Sequence, residues 1–217
     1  MVRRVFISKN ESEVDSLARY LSENGQKLVA RSFLSFEPVQ FSVKSKFDVL
    51  FFSSPRSVTF FKSGYGIPKG KLIACTGNKT KELLESLGFI VSFHGKQAGK
   101  ISDIAKEFKD WCGEKRVLFP ISSISKKTVS SLFSEKQKTE LVVYETIITP
   151  CKIDDCDTYI FSSPSNVRGF LMENKIPKGA KVISWGESTS EELRGNGIQV
   201  LDEMLNSRLD DIKAYLC

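Results

Sequence analysis

The chain has 217 residues, 32 Lys and Arg against 26 Asp and Glu, a net charge of +6, and 41% hydrophobic residues. That composition excludes intrinsic disorder, and the length suits one large domain or two small ones with a real core. No apolar run approaches the roughly 20 residues of a membrane helix, and Arg3 and Arg4 are not followed by an apolar signal core, so a cytoplasmic protein with no membrane contact is expected.

Arg4–Ile7 reads as a short apolar strand. Val14, Leu17, Ala18 and Leu21 recur at helical spacing, on one face of a helix that stops at Gly25. Val49–Phe52 is a continuous apolar run suited to a strand covered on both faces. A helix follows over 55–62, with Pro55 near its first turn. Leu72–Cys75 is the next strand, and Leu83, Leu84 and Leu87 mark a helix ending at Gly88. Ile101, Ile104, Ala105 and Phe108 form a further helical stripe. Strands alternating with helices predict an α/β fold with parallel sheets.

The remaining chain repeats what precedes it. Residues 47–88 align without a gap on residues 156–197, at an offset of 109. Shared positions include Asp48 and Asp157, the FSSP of Phe52–Pro55 and Phe161–Pro164, the IPKG of Ile67–Gly70 and Ile176–Gly179, Gly77 and Gly186, and Thr80 and Thr189. A weaker echo at an offset of 112 relates residues 4–38 to 116–150. Each half then reads strand, helix, strand, linker, strand, helix, strand, helix. One division cuts between the halves near residue 112. The other sets linkers at 37–41 and 145–149, so that domain one is discontinuous (1–36 and 150–217) and domain two is 42–144. Pro38 and Pro150 suit a two-strand hinge better than a sheet interior.

Several chemistries are disfavoured. The five cysteines, Cys75, Cys112, Cys151, Cys156 and Cys217, are odd in number and do not form a disulfide framework pattern. Cys151 and Cys156 have neither a second pair nor a nearby histidine, so no metal site is expected and the thiols read as buried and reduced. The single histidine, His94, reads as a surface or turn residue and makes histidine triads improbable. Lys and Arg are scattered among acids with no dense basic block, which disfavours nucleic acid; the excess charge suits a small polyanion.

In a parallel sheet, ligands bind beyond the carboxyl ends of the strands. Small polar residues stand there in both halves: Ser53, Ser54 and Arg56 after one strand, and Ser162, Ser163, Ser165 and Asn166 after its counterpart. The next strands lead into Gly77-Asn78-Lys79-Thr80 and Gly186-Glu187-Ser188-Thr189. A helix follows each joint, and its unpaired first-turn N–H groups attract carboxylates or phosphates. Such joints are also ordinary strand–turn–helix caps, and Ser188 with Glu191 fits a capping box. No GxGxxG or GxxxxGK[ST] stretch is present.

FFSSPRSV with its Gly-x-x-Thr joint, IFSSPSNV with WGEST, and VVYET at Val142–Thr146 together give the chain its resemblance to the uroporphyrinogen-III synthase family, over nearly its whole length. The resemblance implies two similar α/β domains, each a three-layer parallel-sheet unit, joined by a two-stranded linker, the first domain being discontinuous. It implies closure of the linear tetrapyrrole hydroxymethylbilane, which carries eight carboxylates, with inversion of the last ring and loss of water, using no cofactor or metal. It also implies transient contact with the preceding pathway enzyme. Tyr144 matches the family tyrosine thought to assist departure of the substrate hydroxyl. Thr189, with Thr80 as its counterpart, matches a threonine of the binding cleft, and Ser54, Arg56 and Ser163 match flanking positions. Ser53, Gly77, Asn78, Ser165, Asn166, Gly186, Ser188 and Lys9 complete the expected substrate-binding set.

Three positions depart from the family pattern. Ser8-Lys9 stands where Thr-Arg is usual, so the charge stays but the planar fork is lost. Glu187 places an acid in a joint expected to bind carboxylates, and the proline-threonine signature is absent around Leu205–Leu209. A two-lobed hinge protein that clamps a small polycarboxylate without chemistry is the competing expectation. No strong apolar stripe suggests a dimer, so a monomer is expected.

Overall fold

The computed structural model describes residues 2–95, 101–204 and 209–216; Cys217 and Leu205 lie outside the described residues. In chain order the elements are β1 (Arg4–Ile7), α1 (Asp15–Glu23), β2 (Lys27–Ala30), β3 (Leu34–Pro38), β4 (Val49–Phe52), α2 (Pro55–Gly64), β5 (Leu72–Cys75), α3 (Asn78–Ser86), β6 (Phe93–His94), α4 (Ile101–Cys112), β7 (Val117–Ser122), β8 (Lys138–Ile148), β9 (Thr158–Phe161), α5 (Pro164–Leu171), β10 (Lys181–Ser184), α6 (Glu187–Gly195) and β11 (Asp202–Glu203). Short 3₁₀ turns lie at Glu11–Glu13, Ser130–Leu132 and Asp210–Tyr215. Among the described residues, no helix is long and apolar enough to cross a membrane.

The chain divides into two compact units, Met1–Ser35 with Ile147–Cys217, and Phe36–Thr146. The sheet of the first has the order β11-β10-β9-β1-β2, with parallel neighbours throughout. The second sheet has the order β3-β8-β7-β4-β5-β6, and β8-β7-β4-β5-β6 are parallel. Residues 37–38 and 145–148, within the segments read as linkers, belong to β3 and β8.

Alternation along β4 explains the layering. Leu50 and Phe52 point to a core shared with Val58 and Phe61 of α2 and Leu84 of α3. Val49 and Phe51 point to a core with Ala105 and Phe108 of α4. The first unit repeats the plan: Val5 and Ile7 pack with Leu17 and Leu21 of α1, while Phe6 and Phe161 pack with Phe170 of α5 and Leu193 of α6. Burial on both faces is why these strands are unbroken apolar runs.

Two expectations are corrected. The helix that the echo of residues 4–38 implies within residues 116–150 is only the 3₁₀ turn Ser130–Leu132. Val129, Leu132 and Phe133 begin an apolar stripe, but Lys136 and Gln137 stand where it must continue, and β8 starts at Lys138. His94 is not a turn residue: it ends β6, half-buried, paired with Cys75. Among the described residues Cys75, Cys112, Cys151 and Cys156 are free thiols, and Cys151 is only half-buried, accepting the Arg31 Nε–H at 3.3 Å.

Candidate functional site

The sheet orders place one strand-order reversal in each unit, between β1 and β9 and between β7 and β4. The carboxyl ends at such a reversal open into a crevice. At the first, the Ser162 amide donates to Ser8 Oγ at 2.7 Å and the Ser162 hydroxyl donates to the Ser8 carbonyl at 2.6 Å. Ser8 is therefore buried and occupied by the fold. Lys9 follows it, with Nζ 3.3 Å from Glu13 Oε1 and 5.0 Å from the Trp185 ring centroid. The ammonium stands at the rim of the first unit, held by an acid and an aromatic face.

The equivalent serines do equivalent work. Ser54 caps α2 through the Ser57 amide at 3.2 Å, and Ser163 caps α5 through the Asn166 amide at 3.3 Å. Pro55 and Pro164 fill the first helical positions, where a missing N–H costs nothing. Ser53 is exposed, and its carbonyl accepts the Thr76 hydroxyl at 2.9 Å. Ser165 accepts from the Arg168 guanidinium at 3.1 Å. Asn166 is buried: its Oδ1 accepts the Phe33 amide at 2.8 Å and its Nδ2 donates to Ser163 Oγ at 3.1 Å.

Gly77 and Gly186 are the N-caps of α3 and α6, and neither supplies a capping side chain. Each carbonyl accepts two amides of the first turn, Thr80 and Lys81 in one unit and Thr189 and Ser190 in the other. The expected capping box at Ser188 and Glu191 is not formed. Gly186, at φ 94°, turns the chain so that α6 starts at Glu187, which puts Ser188 inside the first turn. Asn78 and Ser188 are exposed there, while Thr80 and Thr189 are buried. Neither threonine hydroxyl is hydrogen-bonded to another described residue, in contrast with the capping serines.

Arg56 and Tyr144 lie in the second unit. The Arg56 guanidinium carbon is 3.4 Å from the Phe36 ring centroid. Stacking uses the face of the guanidinium and leaves its in-plane N–H donors, unpaired among the described residues, for a carboxylate. Tyr144 stacks on Phe60, with centroids 5.0 Å apart and planes at 15°, and meets Phe36 at 6.1 Å. Tyr144 as a whole residue is 7% exposed. Among the described residues Arg4 Nε alone is a buried side-chain polar atom without a partner. The Tyr144 hydroxyl has none either, so it reaches the surface of its unit.

The nearby thiol is no nucleophile: burial pushes Cys75 up to about 11, and its S–H donates to the Gly77 carbonyl at 3.7 Å. The first unit thus gathers Lys9, Ser163, Ser165, Asn166, Gly186, Ser188 and Thr189, and the second gathers Ser53, Ser54, Arg56, Gly77, Asn78, Thr80 and Tyr144. Phe36 and Phe60 were not anticipated. Arg56 and Phe60, four residues apart on one helix, were the available signal for Phe60.

The family model for uroporphyrinogen-III synthase HemD matches residues 15–203. No curated protein matches the chain significantly. Among solved structures, uroporphyrinogen-III synthetase from Helicobacter pylori is 17% identical, with all of both chains covered and a TM-score of 0.70. A mutant uroporphyrinogen III synthase from the extremely thermophilic bacterium Thermus thermophilus is 13% identical, with 99% of this chain and 97% of that one covered and a TM-score of 0.64. At these identities the two structures establish the shared fold. Because the family match spans all but the ends of the sequence, the chain belongs to the uroporphyrinogen-III synthase family.

Proposed function

We propose that this chain closes hydroxymethylbilane to uroporphyrinogen III, as a cyclising hydro-lyase, with Tyr144 assisting loss of the substrate hydroxyl. The family match over residues 15–203 carries the reaction. The Tyr144 phenol, buried in its ring and free at its hydroxyl, supports the role assigned to it.

The hydroxymethyl C–O bond breaks as the phenol passes its proton to the departing oxygen, which leaves as water. The substituted carbon of the last ring then attacks the resulting cationic carbon and forms a spiro intermediate. Fragmentation and reclosure of that intermediate invert the ring, and the proton shed as the pyrrole regains aromaticity restores the phenol. Holding both ends of a flexible chain is most of the task, so proximity supplies much of the rate and no single side chain is indispensable. The carboxylates fall to the helix N-termini behind Ser54, Gly77, Ser163 and Gly186, the Thr80 and Thr189 hydroxyls, and the cations Lys9 and Arg56. Asn166 is better read as a structural residue, since both ends of its amide already bond to the protein. The substrate closes on its own to isomer I, which favours cytoplasmic transfer by transient contact with the preceding pathway enzyme.

Supplying hydroxymethylbilane to the pure protein and separating the oxidised uroporphyrin isomers tests this reading. Predominantly isomer III, with no metal or cofactor added, is the expected result. Isomer I alone would reject it.

A further inference from the structure

The Tyr144 side chain owes its direction to an irregularity in β8. Ile121 pairs with Val142 and Ser122 pairs with Tyr144, so Val143 is an extra residue. Leu141 and Val143 face the α2 and α3 side by alternation. An unbroken strand would send Tyr144 to the α4 face; the bulge returns it to α2. There Phe60 stacks on its ring, Phe36 meets its edge, and Arg56, one turn before Phe60, covers Phe36.

The tandem repeat shows that this stack is not a requirement of the shared architecture. Phe60 corresponds to Gly169 at the offset of 109. A Cβ at Gly169 would lie 2.6 Å from Phe33 Cβ and 3.1 Å from Ile148 Cγ2, so the α5 backbone closes directly on its neighbours. One unit therefore packs this helix position with no side chain at all. The other places an aromatic ring there, against a phenol whose hydroxyl has no protein partner among the described residues.

We infer that Phe60 is a positioning residue for Tyr144: it fixes the plane of the phenol ring and so the direction in which its hydroxyl meets the departing oxygen of the substrate. The inference rests on the Tyr144 role proposed above. Phe60 itself touches no reacting atom, so its removal acts on kcat and leaves KM alone. Its effect exists only while Tyr144 carries a hydroxyl.

The test measures kcat, KM and the share of isomer III from hydroxymethylbilane for wild type, Phe60→Leu, Phe60→Met, Phe60→Tyr, Tyr144→Phe and the Phe60→Leu/Tyr144→Phe pair. Phe60→Leu is expected to lower kcat about tenfold with KM unchanged, a smaller loss than the roughly hundredfold that a 1 Å misplacement can cost. Phe60→Tyr keeps the stacking face and restores the rate. In the Tyr144→Phe background, Phe60→Leu costs nothing further. Urea midpoints confirm folding, and Phe60→Met, close in volume, replaces Phe60→Leu if that variant unfolds. Wild-type kcat in the folded Leu or Met variant overturns the inference. So does an equal loss with and without the Tyr144 hydroxyl. Wild-type turnover in Tyr144→Phe overturns the Tyr144 role instead, and that result needs no Phe60 variant.

Discussion

Asp48 accepts the backbone N–H of Arg116 at 3.0 Å and meets its guanidinium at 3.2 Å through each carboxylate oxygen. In the other unit Asp157 accepts the Arg4 N–H at 2.7 Å. Asp48 and Asp157 are repeat equivalents, and so are Arg4 and Arg116. Yet Arg4 belongs to the first half of the sequence and Asp157 to the second. Each clamp thus joins residues from different halves, and each unit takes its first strand pair from one half and its remaining strands from the other. Under this correspondence, β2-β1-β9-β10-β11 and β8-β7-β4-β5-β6 are the same order. A cut near residue 112 would separate β1 from β9 and β7 from β4, which pair directly.

The clamp makes stability depend on acid. The Arg116 side chain, and then its backbone N–H, hold Asp48 below its ordinary value of 3.8. Since the folded value is the lower one, the stabilisation is complete above 3.8 and is lost as the pH falls through the folded value. Asp48→Ala is expected to cost about 1 kcal/mol at neutral pH, a charge-assisted bond discounted for exposure. Urea unfolding of both proteins at neutral and strongly acidic pH checks this: the difference between them shrinks as Asp48 is protonated.

Gly186 and Gly77 occupy the same repeat position but differ in backbone. Gly186 sits at φ 94°, whereas Gly77 is extended at φ −169°, and a Cβ meets nothing within 4 Å at either. Gly186→Ala is therefore expected to destabilise by about 1 kcal/mol or more through backbone strain, and Gly77→Ala to cost nothing measurable. Unfolding midpoints of the two variants give the comparison, and equal midpoints would remove the strain argument.

Most of the fold was legible because both sheets are buried on both faces. Arg4–Ile7, Val49–Phe52 and Leu72–Cys75 announce themselves as apolar runs and fall in β1, β4 and β5. The joints were legible because the chain repeats them. What the sequence conceals is any feature set by one residue of register. Nothing local marks Val143 as the extra residue of β8, and without it Tyr144 cannot be placed on the Phe60 face. Likewise, Ser188 with Glu191 has the spacing of a capping box, but the left-handed Gly186 two residues earlier had already started the helix. Asn166 reads from the sequence as a substrate-binding residue, and its partner, the Phe33 amide, leaves no local trace because it lies 133 residues away.

That distant partner separates binding from folding at Asn166. Removing its side chain leaves the buried Phe33 N–H without an acceptor, at a cost of about 2 kcal/mol. Asn166→Ala should lower the unfolding midpoint accordingly, while KM for hydroxymethylbilane stays at the wild-type value. A raised KM with an unchanged midpoint would return Asn166 to the substrate-binding set.

Burial protects two thiols from alkylation. Cys75 and Cys156 are both pushed up to about 11, chiefly by desolvation, so each is about a thousandth thiolate near pH 8. Peptide mapping after iodoacetamide should find half-buried Cys151 modified before either of them. Labelling of Cys75 and Cys156 should rise with pH toward 11. Early labelling of Cys75 would mean that its joint opens readily.

Thr80 and Thr189 reverse the logic of Asn166. Their hydroxyls, unlike those of Ser54 and Ser163, have no hydrogen-bond partner among the described residues, at the N-termini of α3 and α6. Thr→Ala at either site removes a methyl group, about 0.8 kcal/mol of burial, together with the hydroxyl proposed to meet a substrate carboxylate. Thr→Ser removes the methyl and keeps the donor. Each alanine variant should therefore raise KM severalfold, up to about tenfold for one hydrogen bond, and each serine variant should hold KM near wild type. Both substitutions should shift the unfolding midpoint alike. If the alanine and serine variants share one KM, the hydroxyls do not meet the substrate and these joints serve only to start their helices.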